Sequence, residues 1–299
     1  NFCALDLKIM PPPGNGFKNH IPVPETIEGY AIVTDEEETV TFDSKQELKE
    51  WNYQRYIKDY LRCIASLDDN VGRMLDYLKA QGLEENTIVV YTSDQGFFLG
   101  DHGWYDKRFM YEESLRMPFV IKYPNAIPAG TVRREFALNV DFAQTFLDYA
   151  GVSASERMQG QSLRPIFESH VLNEPQRKPG SNSTDCKPAL ANWRDAFYYR
   201  YFMLRSQHEV SPHYGIRTQK YKLIYFYGDE YDPGAPEGVP YGDIKYPDPE
   251  WQLFDLEKDP YELNNVYGNP EYQEIVRTLK QRLHELQKEC GDKPVKEID

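Results

Sequence analysis

The run Thr87-Ile88-Val89-Val90-Tyr91-Thr92 limits the possible folds of this chain more than any other stretch, because it is β-branched and aromatic with no polar alternation. That pattern is expected of a strand buried on both faces of a parallel sheet, since a solvated face would place a polar residue at every second position. The run stops at Ser93-Asp94-Gln95-Gly96. A carboxylate at the carboxyl end of a buried strand, followed by an amide and a glycine, sits where open α/β sheets hold their ligands. Asp94 and Gln95 offer adjacent oxygen donors, and a hard divalent cation such as calcium collects about six to eight. Two ligands do not complete a site, and an aspartate here can equally cap the next turn.

The loop after the strand favours chemistry. Asp101, His102, Asp106, Lys107 and Arg108 are interleaved with Phe97, Phe98, Trp104 and Tyr105, and Gly100 and Gly103 punctuate the stretch. A loop this dense in ionisable and aromatic groups reads as an active-site wall.

Ser93-Asp94-Gln95-Gly96, Leu99-Gly100-Asp101-His102-Gly103-Trp104, Lys107 and Tyr111-Glu112-Glu113-Ser114-Leu115-Arg116-Met117-Pro118 together resemble the metal-binding and lysine segment of type I sulfatases, in the alkaline-phosphatase superfamily. Leu67-Asp68-Asp69-Asn70-Val71-Gly72 upstream agrees, as do His213-Tyr214-Gly215-Ile216-Arg217-Thr218, Leu253-Phe254-Asp255-Leu256 and Asp259-Pro260 downstream. The resemblance implies hydrolysis of a sulfate ester on a carbohydrate, with a formylglycine hydrate attacking sulfur and calcium neutralising the sulfate oxygens. It makes Asp94 a calcium ligand, Gln95 its neighbouring ligand and Lys107 a catalytic contact to the sulfate. Many relatives carry Asn or His in place of Gln95, but an amide oxygen can still ligate. The resemblance also implies a periplasmic, extracellular or lysosome-like setting.

The family's nucleophile arises from Cys or Ser in a Cys/Ser-x-Pro-Ser/Ala-Arg motif, which lies before the metal aspartate together with a further aspartate pair. Neither is found upstream of Asp94. Cys186-Lys187-Pro188-Ala189-Leu190 has Leu190 where the motif needs Arg and lies downstream of the metal segment, so Cys186 reads as a surface cysteine. No nucleophile is assigned. The chain reads as the C-terminal part of a sulfatase, inactive by itself, with the missing N-terminal portion as its partner.

The net charge of −14 argues against nucleic acid and anionic membrane surfaces as partners. It does not exclude a sulfated substrate, because a bound cation with Lys107 and Arg108 reverses the local field. Four scattered cysteines, without Cys-x-x-Cys, give no zinc site. No apolar run approaches the length of a membrane span.

The expected fold is α/β, with a mixed, mostly parallel sheet flanked by helices over 1–170, incomplete and alkaline-phosphatase-like. A linker or surface loop is expected over 171–191, carrying the sequon Asn182-Ser183-Thr184. A smaller antiparallel sheet plus helix then occupies 192–299. Pro- and Gly-rich loop material with the lone His20 fills 1–41. Apolar spacings of three and four predict a helix over 47–81, started by Asp43-Ser44, with its tyrosine stripe in the core. Adjacent Asp68 and Asp69 point about 100° apart on that helix and read as structural. A second amphipathic helix is expected over 139–150, with Val140, Phe142, Ala143, Phe146, Leu147 and Ala150 inward. Two strands flank Gln219-Lys220, a third covers 252–256, and Asn269-Pro270 caps a last helix stopped by Gly291.

His213 stands at the mouth of the first of these strands. It reads either as a capping or surface histidine or as a substrate ligand brought toward His102 and Trp104, a rim of donors and an aromatic face suited to a sugar, with Arg108 nearby. The stretch from His213 to Thr218 is also similar to one in N-acetylglucosamine-6-sulfatases. Two other functions fit the same residues: a phosphodiesterase or phosphonate hydrolase of the same superfamily, and a non-catalytic glycan-binding fragment.

Overall fold

The computed structural model describes residues 26–33, 37–169, 193–202, 210–227 and 249–293. His20, Asn182, Cys186 and the linker expected over 171–191 lie outside the described residues. In chain order the elements begin with β1 (Ala31–Val33), β2 (Thr39–Thr41), α1 (Lys45–Ala80), β3 (Val89–Thr92), β4 (Phe98–Leu99) and β5 (Tyr105–Asp106). Next come α2 (Glu112–Leu115), β6 (Phe119–Lys122), α3 (Phe142–Tyr149) and α4 (Arg164–Phe167). The last are β7 (Ala196–Tyr201), β8 (His213–Thr218), β9 (Tyr221–Phe226), β10 (Glu250–Asp255) and α5 (Gln273–Cys290). They form two compact units. One holds the described residues up to Thr87 with Gly96–Lys107, the other Ile88–Gln95 with the described residues from Arg108 onward.

In the first unit α1 starts where the sequence says it should. The Ser44 hydroxyl accepts the Glu47 N–H at 3.2 Å, and the Glu47 carboxylate accepts the Asp43 N–H at 2.8 Å. The helix closes at Gln81 and Gly82, where a φ of 66° favours glycine. Among the described residues the tyrosine stripe is only partly covered: Tyr53, Tyr56 and Tyr60 are half-buried, Leu61, Ile64, Leu67 and Met74 are exposed, and Leu48 is the one buried residue of α1. The β1–β2 hairpin pairs three residues a strand and, through Ile32 and Phe42, covers only the start of a 36-residue helix.

In the second unit β3 pairs antiparallel with β6, Val89 opposite Lys122 and Thr92 opposite Phe119. All strand pairs among the described residues are antiparallel, so the parallel neighbours expected of β3 are not among them. With one partner, the strand is half-buried rather than closed on both faces. The 139–150 segment is helical as expected but turned. Asp141, Gln144 and Thr145 are buried, whereas Val140, Ala143, Phe146 and Ala150 are exposed. The Asp141 carboxylate decides this orientation by accepting the Leu138 and Gln161 N–H groups and the Arg194 guanidinium. A buried charge needs such partners more than an alanine needs burial.

The same unit ends in a four-stranded antiparallel sheet, β10-β9-β8-β7. The aromatic run at Ala196–Tyr201 adds a fourth strand to the three read from sequence. Strand alternation gives the sheet two different faces. Tyr214, Ile216, Leu223, Tyr225, Trp251 and Leu253 meet Val276, Leu279, Leu283 and Leu286 of α5 in one core, each such side chain contributing on the order of 1.5–3 kcal/mol. Asn269 caps the turn into α5, and Gly291 ends it at φ 74°.

The opposite face carries His213, Gly215 and Arg217 of β8, and segment 109–112 lies along it. Phe109 stacks on His213 at 6.2 Å, Met110 sits over Gly215, and Glu112 pairs with Arg217. A β-carbon at Gly215 would meet the Leu223 carbonyl oxygen and lie 2.6 Å from the Met110 sulfur. Gly215→Ala should therefore destabilise the full-length protein by about 1–3 kcal/mol. Urea unfolding would show this as a lowered midpoint at unchanged slope, and an unaltered midpoint would contradict the close approach.

Candidate active site

Asp94 and Gln95 stand just past the end of β3. The Asp94 side chain is exposed and Gln95 is half-buried. The Ser93 hydroxyl donates to Asp94 Oδ1 at 3.3 Å and accepts the Gln95 N–H at 3.5 Å, so the turn is held by Ser93 and the remaining Asp94 oxygen stays available. The donors are oxygens, as a hard cation requires, but these two residues supply fewer than a calcium ion collects. Among the described residues no group of three His, Cys, Asp or Glu side chains converges on a metal-sized point. The pair fits as part of a cation site, not as a whole one.

In the first unit the dense loop is a hairpin, with Phe98 opposite Asp106 and Leu99 opposite Tyr105. The Gly100 N–H donates to the Trp104 carbonyl at 2.9 Å, and Gly100, His102 and Gly103 all take positive φ, 113°, 55° and 76°. Glycine does this freely; His102 does so at a cost of order 1–3 kcal/mol that its surroundings must sustain. Its ring stacks on Trp104 at 5.6 Å, and both rings stand edge-on to the buried Phe98. Asp106 is again left-handed at 77°, and its carboxylate lies 2.9 Å from the Lys107 ammonium, which remains 31% exposed. Strain of this kind clusters at ligand-holding loops.

At Arg108, with a φ of 116°, the chain returns to the second unit. Its N–H donates to the Ser114 hydroxyl at 2.9 Å, and its carbonyl accepts the Tyr199 hydroxyl at 3.0 Å.

His213 is neither a surface nor a capping residue: it is fully buried, boxed by Phe109, Tyr199, Tyr201 and Phe226. Its Nδ1 lies 2.7 Å from the Ser211 carbonyl and so carries the proton. Nε2, buried and without a hydrogen-bond partner, is then an acceptor. Burial pushes its pKa down to about 4, against the opposing pull of the Ser211 carbonyl. Thus His102 and Trp104 are brought together in one unit. In the other, His213 and the Arg108 backbone share Tyr199.

Sequence pattern did not single out Glu112, Lys222 and Glu262. Lys222 is fully buried, with its ammonium 2.9 Å from Glu112 and 2.6 Å from Glu262. Arg217 forks onto both Glu112 oxygens at 3.0 and 3.1 Å, and Glu262, left-handed at φ 52°, accepts the Glu112 N–H at 2.7 Å. Burial raises the Glu112 carboxyl, but Lys222 and Arg217 outweigh it and hold it down to about 2. Burial moves Glu262 the other way, upward. One signal was available, a lysine within the otherwise apolar and aromatic run Leu223-Ile224-Tyr225-Phe226 and its flank Tyr221.

Comparison with known proteins defines the class. The family profile described as N-sulphoglucosamine sulphohydrolase, C-terminal, matches residues 100–233 and 241–289, and the profile described as Sulfatase matches 18–152. The chain belongs to the sulfatase family. It is 45% identical over 242 residues to an N-acetylglucosamine-6-O-sulfatase of Bacteroides thetaiotaomicron, an alignment covering 81% of this chain and 37% of that protein. A solved structure of a protein in complex with its substrate D-glucosamine-2-N,6-O-disulfate superposes with a TM-score of 0.68 at 45% identity, over 82% of this chain and 43% of that one. The phosphonate monoester hydrolase of Agrobacterium radiobacter shares the fold at a TM-score of 0.57 and 24% identity, over 76% of this chain and 40% of that one. The chain thus spans less than half the length of these relatives. No helix of the described residues is long and apolar enough to cross a membrane.

The burial of His213 has a consequence for acid stability. Unfolded, the imidazole protonates near about 6.5; folded, only near about 4, so between these values the unfolded state binds more protons. Stability falls as pH drops through that window, by up to roughly 3 kcal/mol from this residue, and is untouched by it above. Urea unfolding of the full-length protein at pH 7 and near pH 4 should show His213→Phe losing part of the wild type's acid sensitivity. Identical pH slopes would mean that the imidazole is solvated.

Proposed function

We propose that the full-length protein hydrolyses sulfate esters of a glycan, with a 6-O-sulfated N-acetylglucosamine as the substrate class. The match to the N-acetylglucosamine-6-O-sulfatase over four-fifths of this chain carries the proposal. In this reading residues 1–170 complete a mixed, mostly parallel sheet with the missing N-terminal portion, and 192–299 form the C-terminal subdomain after the 171–191 linker. Asp94 and Gln95 hold a calcium ion together with oxygens from that portion. The ion, when bound, neutralises charge on the sulfate oxygens. Lys107 donates from its ammonium to the sulfate, at a site where each such donor is aimed at charge that grows in the transition state. His102, Trp104 and Arg108 serve the sugar, whereas His213, fully buried among aromatic rings, does not reach it directly. The nucleophile lies outside this chain, which has no residue in the required motif.

Sulfate release by the full-length protein from 6-O-sulfated N-acetylglucosamine, measured beside hydrolysis of a phenyl phosphonate, tests the substrate class. Sulfate ester should be the faster substrate, and faster phosphonate turnover would move the protein to the other branch of the superfamily. Lys107→Ala should lower kcat/KM on an aryl sulfate by on the order of 10²–10³. Asp94→Asn should lower bound calcium measured by mass spectrometry, and chelation should abolish turnover until calcium is restored. The 299-residue chain alone should turn over nothing; activity from it, lost in Cys186→Ala, would overturn the assignment of the nucleophile.

A further inference from the structure

Segment 108–115 is fastened to the C-terminal sheet by two kinds of contact. Phe109 and Met110 make apolar contacts with His213, Phe226 and Gly215, whose attraction is non-directional. Glu112 is different, because Arg217 grips both its oxygens, Lys222 pairs with one of them, and Glu262 holds its N–H. A forked pair of this kind sets position along the strand as well as attraction. Buried ion pairs seldom add stability over apolar packing of equal volume, so their use here needs another reason. That reason is at the far end of the segment. Arg108 is a non-glycine residue at φ 116°, held at its N–H by Ser114 and at its carbonyl by Tyr199, and it directly follows Lys107 in the chain.

We propose that Glu112, clamped by Arg217, Lys222 and Glu262, is a positioning residue that fixes where segment 108–115 begins and thereby where Lys107 and Arg108 are presented. The C-terminal sheet is on this view a jig for the sulfate-contacting lysine. The inference rests on the reading that Lys107 contacts the sulfate, and the experiment separates the two.

In the full-length protein, Glu112→Gln keeps the volume and removes the charge. Its kcat/KM on an aryl sulfate should fall on the order of 10²-fold, as for displacement of a reacting group by about 1 Å. The inhibition constant of inorganic sulfate, a competitive probe of the anion site, should rise about tenfold. A role in stability alone would reduce the folded fraction and leave that constant unchanged, and an unchanged constant overturns the proposal. Arg217→Lys, which keeps charge and loses the fork, carries the same expectation should Glu112→Gln not fold. Lys107→Ala is run in parallel. If it alters neither kcat nor the sulfate constant, the assignment of Lys107 fails and this inference falls with it; if it alters both while the clamp variants alter neither, the inference alone is wrong.

Discussion

The two-residue period of the β8 strand is the constraint from which most of the second unit derives. It sends Tyr214 and Ile216 to α5 and leaves His213, Gly215 and Arg217 on the other side, where they receive Phe109, Met110 and Glu112 in that order. One strand therefore builds a hydrophobic core and holds a functional segment at once. A slip of a single residue would exchange the faces, turning Arg217 toward the apolar core and bringing Ile216 or Thr218 to where Glu112 needs a cation. Register is thus penalised from both sides of the sheet.

Local pattern made much of this legible in the sequence. The Ser44 cap, the helix over 47–81, the Asn269-Pro270 start and Gly291 stop of α5, and three of the four C-terminal strands can be read from spacing and capping chemistry. What was not legible depended on distant partners. The tyrosines of α1 have a core-like spacing but meet too little structure among the described residues to be covered. The helix near Asn139 turned a carboxylate inward, because Arg194, 53 positions away, was there to meet it. The antiparallel pairing of β3 with β6 likewise is not written in either strand.

The candidate site shows the same division. Asp94 and Gln95 stood out because they follow an apolar strand run, and Lys107 because it lies in a dense loop whose motifs resemble those of sulfatases. His213 looked like a rim residue since it begins a strand, yet the aromatic residues that bury it come from β7, β9 and the segment after Lys107. Glu112 and Glu262 are unremarkable acids in sequence. Their importance comes from Lys222, an internal cation that no solvent reaches.

The notch at Gly215 bears on how such chains vary in length. Met110 occupies the space of an absent side chain, and Glu112 meets its fork two residues later, so the spacing from Lys107 to both anchors is counted off against a strand. A residue inserted between Arg108 and Glu112 would drive a bulkier group into the notch or lift the carboxylate from its cations. Between Arg108 and Glu112 the chain length is therefore fixed by packing and charge together.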